Sequence, residues 1–420
     1  MVDYVAKRIR FRNGERHSVL QVPHGLPVHE VTLYLGKYRR KGRAANTIHS
    51  VCLTLALLHR ELDKARVDLL GRLSTGQFLA IAELNRLASA TQFRVGDLEE
   101  DVLDERNSQV VNRSVVRFRR SKRVTEREAV DGATQASRLR CMSDYLAFLS
   151  DYVGGTLPES ERNALRAETE RALTSFRTNI PEVSKRAKLN ARVGLSDDET
   201  GRLLAVLHPD SPNNPWKRGF VRLRNWLIVV LLLATGMRRG ELLGLQIGDL
   251  HPNQPKLRII RRADAEEDLR RIQPNTKTND REIELRSAIM KRLWSFINTE
   301  RRAIKAARKV PQVFVSDEGQ ALSHSSIDKL FAQLREACPD LSVRLMSHVM
   351  RHTWNDRFSE QAEALGVSDA VEEKARNLQQ GWSDNSAMAA TYTRRHTAHK
   401  GRQVALKLQE RLDEQAKQDE

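Results

Sequence analysis

The sequence predicts a mainly α-helical protein with a small three-stranded antiparallel sheet in its second half. Apolar residues recur at three- and four-residue spacing through most of the chain, the period of a helix with one buried face. That period changes after residue 255, where the short stretches 256–261, 269–277 and 281–285 predict strands. A basic break near residue 190 separates two groups of helices, so we expect two main domains.

Composition and charge narrow the class of protein. The chain has 420 residues, enough for two or three domains, and its hydrophobic content of 40% is sufficient for packed cores. Lys and Arg total 71 against 54 Asp and Glu, which gives a formal net charge of +17. Such an excess favours a polyanionic partner, because each neutralised phosphate releases condensed counterions. A charge that serves only solubility would look the same, so charge alone does not decide between the two readings.

Cysteine usage and hydropathy predict a soluble intracellular protein with no membrane partner. Cys52, Cys141 and Cys338 are far apart and odd in number, so neither a disulfide framework nor a zinc site is indicated. Residues 1–12 lack the apolar centre of a signal peptide. The most apolar run, 226–234, is much shorter than the ~20 residues that a membrane-spanning helix needs.

The first half of the chain predicts a hairpin followed by an all-helical domain. Two strand-like stretches, 4–11 and 16–22, flank Asn13-Gly14, whose tolerance of positive φ suits a tight turn. The patterns give a basic N-terminal hairpin at 1–27 and a helical domain at 28–180, with helices at 28–61 (broken at 41–43), 77–90, 134–152 and 158–177.

A weakly patterned stretch of this half holds a cluster of basic residues. Between residues 113 and 127 there are seven basic side chains and a single acid. A charge run of this kind is by default a solvated face or a loop. In a chain with this net charge, we instead expect the cluster to contact a DNA backbone. The candidate residues are Arg113, Arg117, Arg119, Arg120, Lys122 and Arg123.

The second half predicts a helical domain that begins after a basic linker at 181–195. Ser196 and Glu199 have the spacing of a capping box, which predicts a helix start. The domain extends over 196–400, and the tail at 401–420 has an amphipathic helical pattern. Helices are predicted at 197–207, 219–234, 287–306, 325–337, 369–379 and 401–417, with further ones around Glu241, His348 and Tyr392, and 313–315 is strand-like.

Three residues of this domain indicate chemistry on phosphate. If His348 opens a helix, Arg351 lies one turn further along the same face. An imidazole beside a guanidinium is suited to binding a phosphate. Tyr392 is the only tyrosine after Tyr152, so a lone phenol follows the pair along the chain. The combination indicates a covalent nucleophile directed at DNA.

The domain carries five short elements whose order is much harder to obtain by chance than any one of them. The elements are Thr235-Gly236-Met237-Arg238, Lys277, His348-x-x-Arg351-His352, Gly381-Trp382 and Tyr392. Together they resemble the tyrosine recombinases of the integrase family, in which they correspond in turn to the first box, the hairpin lysine, the second box, the His-or-Trp position and the nucleophile.

The sequence departs from many members of that family in several places. Tyr392 lies ten residues after Trp382, one more than in many members, and Trp382 itself replaces the commoner histidine. The lysine turn is a residue shorter than in many members. The first half resembles the family's helical core-binding domain only in pattern. We expect His352 to have a structural role.

The resemblance implies a catalytic role for six residues. Arg238 and Arg351 would clamp the two non-bridging oxygens of a phosphodiester, and Tyr392 would form a 3′-phosphotyrosyl link. Lys277 is the expected acid for the leaving 5′ oxygen. His348 would donate to the phosphate or assist proton transfer, and Trp382 has an N–H that can only donate. A seventh residue, Glu241, is expected to support Arg238 without being catalytic.

The same resemblance implies an integrase that moves a mobile element such as a phage or a conjugative element. The expected partners are double-stranded DNA at specific recombination sites, a homo-tetramer on synapsed DNA, and accessory DNA-bending or directionality proteins. No metal or nucleotide cofactor is implied, and the expected location is the bacterial cytoplasm or nucleoid. Two alternatives stay open: a type IB topoisomerase, which shares the phosphotyrosine chemistry, and a DNA-binding protein with an inactive site.

Overall fold

The computed structural model of the protein describes residues 4–22, 25–94, 128–182, 194–274, 276–341, 345–384 and 386–418. The chain divides into two compact units, Met1–Arg186 and Ala187–Glu420, and each unit has a hydrophobic core of its own. The basic cluster predicted between residues 113 and 123 lies outside the described residues. Within the described ranges, no helix combines the length and the apolar character needed to cross a membrane.

The first unit opens with the antiparallel hairpin that its turn sequence predicts. Strand β1 (Val5–Arg10) pairs with β2 (Arg16–Gln21) across the turn at Asn13-Gly14. Gly14 has a φ of 85°, a left-handed conformation that glycine adopts without steric cost. Leu20 of β2 is fully buried in the core of the unit, so the hairpin is packed onto the helices.

Six α-helices complete the described part of the first unit. Their core includes Tyr34 and Tyr145, whose rings meet edge to face with centroids 5.1 Å apart. The fourth helix begins later than predicted because the Glu83 carboxylate accepts the N–H of Ala80 at 2.8 Å and caps the helix there. The third helix is too short to show a period in the sequence. The bounds are α1 His29–Arg40, α2 Ala45–Lys64, α3 Leu69–Ser74, α4 Ile81–Ala90, α5 Gly132–Gly154 and α6 Glu159–Arg177.

The described part of the second unit contains eight α-helices around a larger core. Ser196 caps the first of them as predicted, because its hydroxyl accepts the N–H of Glu199 at 3.2 Å. Leu227 and Leu231 of the second helix are fully buried, as expected for the most apolar run of the chain. The bounds are α7 Asp197–Leu207, α8 Gly219–Thr235, α9 Arg239–Gly244, α10 Ser287–Phe296, α11 His324–Ala337, α12 Ser347–Ala364, α13 Asp369–Gln380 and α14 Ala387–Gln418.

The sheet of the second unit has two strands instead of the three predicted. Among the described residues, β3 (Lys256–Ile259) pairs antiparallel with β4 (Arg281–Glu284), and the predicted middle strand at 269–277 is irregular. Arg270 turns inward there, and its Nη1 donates to two main-chain carbonyls at 3.0 and 2.7 Å. Pro274 has no N–H to give to a ladder. An inward arginine and a proline therefore replace the strand pairing that the alternating pattern predicted.

Two other predicted segments are shorter than expected. The α-helical part of the predicted helix at 287–306 ends at Phe296 and continues as a π-helical turn at Ile297–Arg301. The strand-like stretch at 313–315 contributes only an isolated bridge from Val315. Both segments pack apolar residues in the core. Their apolar content therefore reflects burial and does not require regular secondary structure over the whole segment.

The last helix is longer than expected. Helix α14 runs without a break, although the sequence predicted a short helix around Tyr392 and a separate one at 401–417. Gly401 lies inside it, where glycine is tolerated at a cost of about 1 kcal/mol relative to alanine. Residues 401–410 are exposed all round, including the predicted apolar stripe at Val404 and Leu408.

Two left-handed glycines at helix ends provide a test of how tightly the second unit is packed. Gly366 (φ 68°) follows α12 and a Cβ there would meet no atom within 4 Å, whereas a Cβ at Gly381 (φ 62°) would lie 2.8 Å from the carbonyl oxygen of Asn279. Replacing either glycine with alanine should lower the free energy of unfolding by about 1–2 kcal/mol, because alanine is strained at a positive φ. We expect Gly381→Ala to lower the free energy of unfolding by about 1–3 kcal/mol more than Gly366→Ala does, because the carbonyl of Asn279 must move away from the new methyl group. Equal losses in urea unfolding would contradict the close packing at Gly381.

Candidate active site

The predicted nucleophile lies inside the second unit. Tyr392 is on the second turn of α14, and only 4% of it is exposed. Its ring is nearly parallel to that of Trp382, with an interplanar angle of 10° and centroids 6.1 Å apart. Its hydroxyl oxygen lies 3.1 Å from Nδ1 of His352. With the extra residue between Trp382 and Tyr392, the phenol still packs against Trp382.

Arg351 also packs against the tryptophan ring. Its Cζ is 5.0 Å from the centre of the Trp382 ring, and its Nη1 donates to the carbonyl of Gly236 at 2.7 Å. Burial, and then the positive charge of Arg238, lower the pKa of Arg351 to about 9. Among the described residues, its buried Nη2 and the buried Nε1 of Trp382 have no hydrogen-bond acceptor. The site thus has uncompensated positive charge and two unpaired donors, a combination suited to an anion.

Arg238 is positioned by the turn between α8 and α9, which is formed by the residues of the first box. Gly236 ends α8 with a φ of 61°, and a Cβ there would lie 2.8 Å from the Trp354 ring, so only glycine fits. Arg238 then caps α9, and its N–H donates to Oε2 of Glu241 at 3.0 Å. Its guanidinium is 31% exposed and lies 3.5 Å from Oε1 of Glu241. This side chain remains accessible to a ligand while Arg351 is enclosed.

Glu241 makes its strongest contacts elsewhere. Its carboxylate accepts from Thr278 Oγ1 at 2.7 Å and from Arg281 Nη2 at 2.7 Å, and it is almost fully buried. Burial raises the pKa of Glu241, but Arg281, Thr278 and the N–H of Arg238 outweigh burial, so the pKa is lowered overall. Arg281 also donates to the carbonyl of Gln379 at 2.8 Å. Glu241 therefore joins the first box to the segment before β4 and to the end of α13.

The two remaining predicted residues are at the surface. Lys277 is exposed between the buried Thr276 and Thr278, so its role as an acid stays a prediction. His348 is exposed on the first turn of α12, and its ring meets that of His352 edge to face, with centroids 4.5 Å apart. Both residues of the second box lie near the start of α12, but His348 is exposed whereas only 2% of Arg351 is, so their presentation of one shared face to a phosphate stays a prediction.

Sequence analysis missed a buried arginine behind the nucleophile. Arg376 of α13 is fully buried, and its Nη1 donates to the carbonyl of Ala389 at 3.1 Å and to Thr393 Oγ1 at 3.2 Å. Its Nη2 donates to Ser359 Oγ at 2.6 Å and to the carboxylate of Glu372. Its Cζ also lies 5.7 Å from the centre of the Tyr392 ring. The only signal in the sequence was the four-residue spacing of Glu372 and Arg376, which is common on exposed helices.

An enclosed tyrosine beside two arginines and an imidazole gives the second unit a site of the tyrosine recombinase type. Residues 195–399 match the model of the phage integrase family, and this interval contains every residue of the site. The match spans just under half of the chain.

Individual relatives are distant. Tyrosine recombinase XerD of Halalkalibacterium halodurans is 28% identical over 142 residues, which cover 34% of this chain and 42% of the relative. The chain thus matches less than half of the length of that relative. The transposon Tn1549 integrase in complex with a circular intermediate DNA is 18% identical, with a TM-score of 0.39 over 60% of this chain and 80% of that one. The XerH recombinase bound to difH substrate is 17% identical, with a TM-score of 0.37 over 66% and 69%.

Replacement of Glu241 by glutamine should destabilise the protein in a pH-dependent way. At pH 7 the change leaves the buried Arg281 without a counter-charge, and we expect a loss of roughly 3–5 kcal/mol. Because the folded protein lowers the pKa of Glu241, the stabilisation is complete above the ordinary value of 4.5 and is lost as pH falls through the folded value. Urea unfolding between pH 7 and 3 should show the wild type and Glu241→Gln converging on acidification.

The matched control for that experiment is Glu284→Gln, because the side chain of Glu284 is 79% exposed in an ion pair with Lys256. It should change the stability by no more than about 1 kcal/mol at any pH. A gap between wild type and Glu241→Gln that stays constant down to pH 3 would contradict the ionised state of Glu241.

Arg376 should be coupled energetically to Glu372. We expect Arg376→Met to cost roughly 3–5 kcal/mol, because the Glu372 carboxylate stays buried without its counter-charge. The double variant Arg376→Met/Glu372→Met replaces the pair with apolar side chains and should recover much of that loss. Unfolding free energies of the two single variants and the double variant test this coupling. A double variant whose loss equals the sum of the single losses would show that the two residues act independently.

Proposed function

We propose that the protein is a site-specific DNA recombinase, which cleaves and rejoins DNA through a 3′-phosphotyrosyl intermediate. The observation that carries this proposal is the position of Tyr392. Its ring stacks on Trp382, and the enclosed guanidinium of Arg351 packs against the same tryptophan. A phenol in that place adjoins a site that can bind a phosphodiester. The match of residues 195–399 to the phage integrase family model supports the same reaction.

The phosphate would be bound by groups that the protein leaves unpaired. Arg351 Nη2 and Trp382 Nε1 are buried donors with no acceptor among the described residues, and each such donor is costly unless a ligand satisfies it. The partly exposed Arg238 supplies a second guanidinium. Two guanidinium groups can bind the non-bridging oxygens and stabilise the charge that develops on them in the transition state. The exposed His348 is placed to donate to the same phosphate.

The reaction conserves the energy of the broken bond. The Tyr392 oxygen attacks phosphorus, the 5′ oxygen leaves with a proton that Lys277 supplies, and the 3′ phosphate stays on the tyrosine. A 5′ hydroxyl from a partner strand then attacks this ester, and the tyrosine leaves. Water takes no part in either step, so the strands can be exchanged instead of hydrolysed.

We assign the rest of the chain to DNA binding and assembly. Residues 28–180 would form the core-binding domain and 196–400 the catalytic domain, joined by the linker at 181–195. The hairpin at 1–27 and the basic cluster, Arg113, Arg117, Arg119, Arg120, Lys122 and Arg123, would contact the DNA backbone. The tail at 401–420, which is exposed over residues 401–410, would contact a neighbouring protomer in a tetramer on synapsed sites. The substrate would be a mobile element in the bacterial cytoplasm or nucleoid, with accessory DNA-bending or directionality proteins.

A covalent-capture experiment tests the proposal and at the same time identifies the sequence that the protein cleaves. The protein is incubated with nicked duplexes that have a randomised centre, and the DNA that stays attached in SDS is recovered and sequenced. We expect a defined sequence with the wild type and no adduct with Tyr392→Phe, because phenylalanine has no nucleophilic oxygen. The control Tyr152→Phe changes an exposed tyrosine of α5 and should form the adduct normally.

Each outcome of this experiment decides between the candidate functions. Adducts that form on one sequence and lead to joining of two such sites support the recombinase. Adducts on any plasmid, with relaxation of supercoils and no joining, would indicate a type IB topoisomerase. DNA binding with no Tyr392-dependent adduct on any duplex would indicate a DNA-binding protein with an inactive site.

A further inference from the structure

We propose that His352 is a catalytic residue that accepts the phenolic proton of Tyr392 during cleavage and returns it during rejoining. This inference rests on the proposed function. It revises the structural role that the sequence suggested for His352. The observation that carries it is the contact between Nδ1 of His352 and the hydroxyl oxygen of Tyr392, at 3.1 Å.

The geometry places this imidazole at the reacting oxygen. His352 directly follows Arg351 on α12, and successive residues of a helix point about 100° apart. The guanidinium of Arg351 therefore lies over Trp382, while the imidazole of His352 reaches Tyr392, with ring centroids 5.7 Å apart. One turn of helix thus serves both the phosphate and the nucleophile. A candidate base must be within hydrogen-bond reach of the proton it removes, and His352 meets that condition.

The charged groups around the pair favour removal of this proton. Arg376 of α13 lies over the Tyr392 ring, and Arg351 of α12 is buried against Trp382, which stacks on the same ring. Both positive charges favour a phenolate over a phenol. They also oppose a further positive charge on the imidazole. On α12 the titratable ring of His348 contacts the His352 ring, with centroids 4.5 Å apart. A bound phosphodiester supplies a negative charge that offsets this opposition, so DNA binding itself would promote the transfer.

The proposed step is balanced. The O–H bond of Tyr392 breaks, its proton moves to Nδ1 of a neutral His352 protonated on Nε2, and the electron pair left on oxygen forms the O–P bond. The bond from phosphorus to the 5′ oxygen breaks, and that oxygen takes a proton from Lys277. In the return step the 5′ hydroxyl gives its proton back to the neutral Lys277 and forms a bond to phosphorus. The bond from phosphorus to the Tyr392 oxygen breaks, and His352 gives its proton to that oxygen.

His352→Asn separates a base from a merely orienting contact. The amide oxygen of asparagine can accept the phenol's hydrogen bond near the position of Nδ1, but an amide does not take up a proton at neutral pH. We expect single-turnover adduct formation, on a duplex recovered by covalent capture, to slow on the order of 100-fold or more. The affinity for that duplex should not change. A rate for His352→Asn within a few-fold of the wild type would overturn the inference.

The pH dependence gives a second readout that does not depend on a variant. The wild-type rate should rise through the titration of an imidazole, whose ordinary pKa is about 6.5, and His352→Asn should lack that rise. A flat wild-type profile between pH 5.5 and 7.5 would contradict the proposal even if His352→Asn failed to fold. The control His396→Asn removes an imidazole of α14 that contacts Glu363 at 3.1 Å, and it should keep both the rate and the profile.

The two proposals fail in different ways. If the wild type forms no Tyr392-dependent adduct on any duplex, the recombinase function itself is wrong. If the wild type forms the adduct and His352→Asn is equally fast with an unchanged profile, only the role of His352 is wrong.

Discussion

The buried carboxylate of Glu241 is the contact on which the arrangement of the site depends. It accepts hydrogen bonds from Thr278, Arg281 and the main chain of Arg238, which belong to segments well separated along the chain. Arg281 in turn reaches the end of α13 at Gln379. Arg351 reaches the same turn through the carbonyl of Gly236, and the negative charge of Glu241 offsets part of the repulsion between Arg351 and Arg238.

The residues with local signatures were the ones that the sequence could predict. Capping at Ser196 follows from side-chain chemistry within one turn, and the helix that carries His348 and Arg351 follows from the order of polar and apolar residues along it. The positions of Trp382 and Tyr392 came from a resemblance that fixes order and spacing. None of these features specifies how α13 packs against α14. The stacking of the two rings could therefore be recognised only in the structure.

The missed features arise from contacts between distant parts of the chain. Arg376 looks like the exposed partner of Glu372, and only the meeting of three helices makes it a buried donor to Ala389. Arg270 belongs to a pattern typical of a strand, but its guanidinium finds two main-chain carbonyls in the core, and the strand is lost. In both cases a long cationic side chain satisfies backbone oxygens that local rules would leave to secondary structure.

The unbroken course of α14 has a mechanical consequence. Tyr392 and the exposed end of the helix are joined by continuous main-chain hydrogen bonds, at a rise of about 1.5 Å per residue. A torque applied near Val404 is therefore transmitted to the phenol over roughly 18 Å, instead of being absorbed in a loop. Between these two points the helix contains Gly401, whose backbone is less restrained than that of other residues because glycine has no side chain. At the opposite end, Arg376 holds the first two turns of the helix in place through its hydrogen bonds to Ala389 and Thr393.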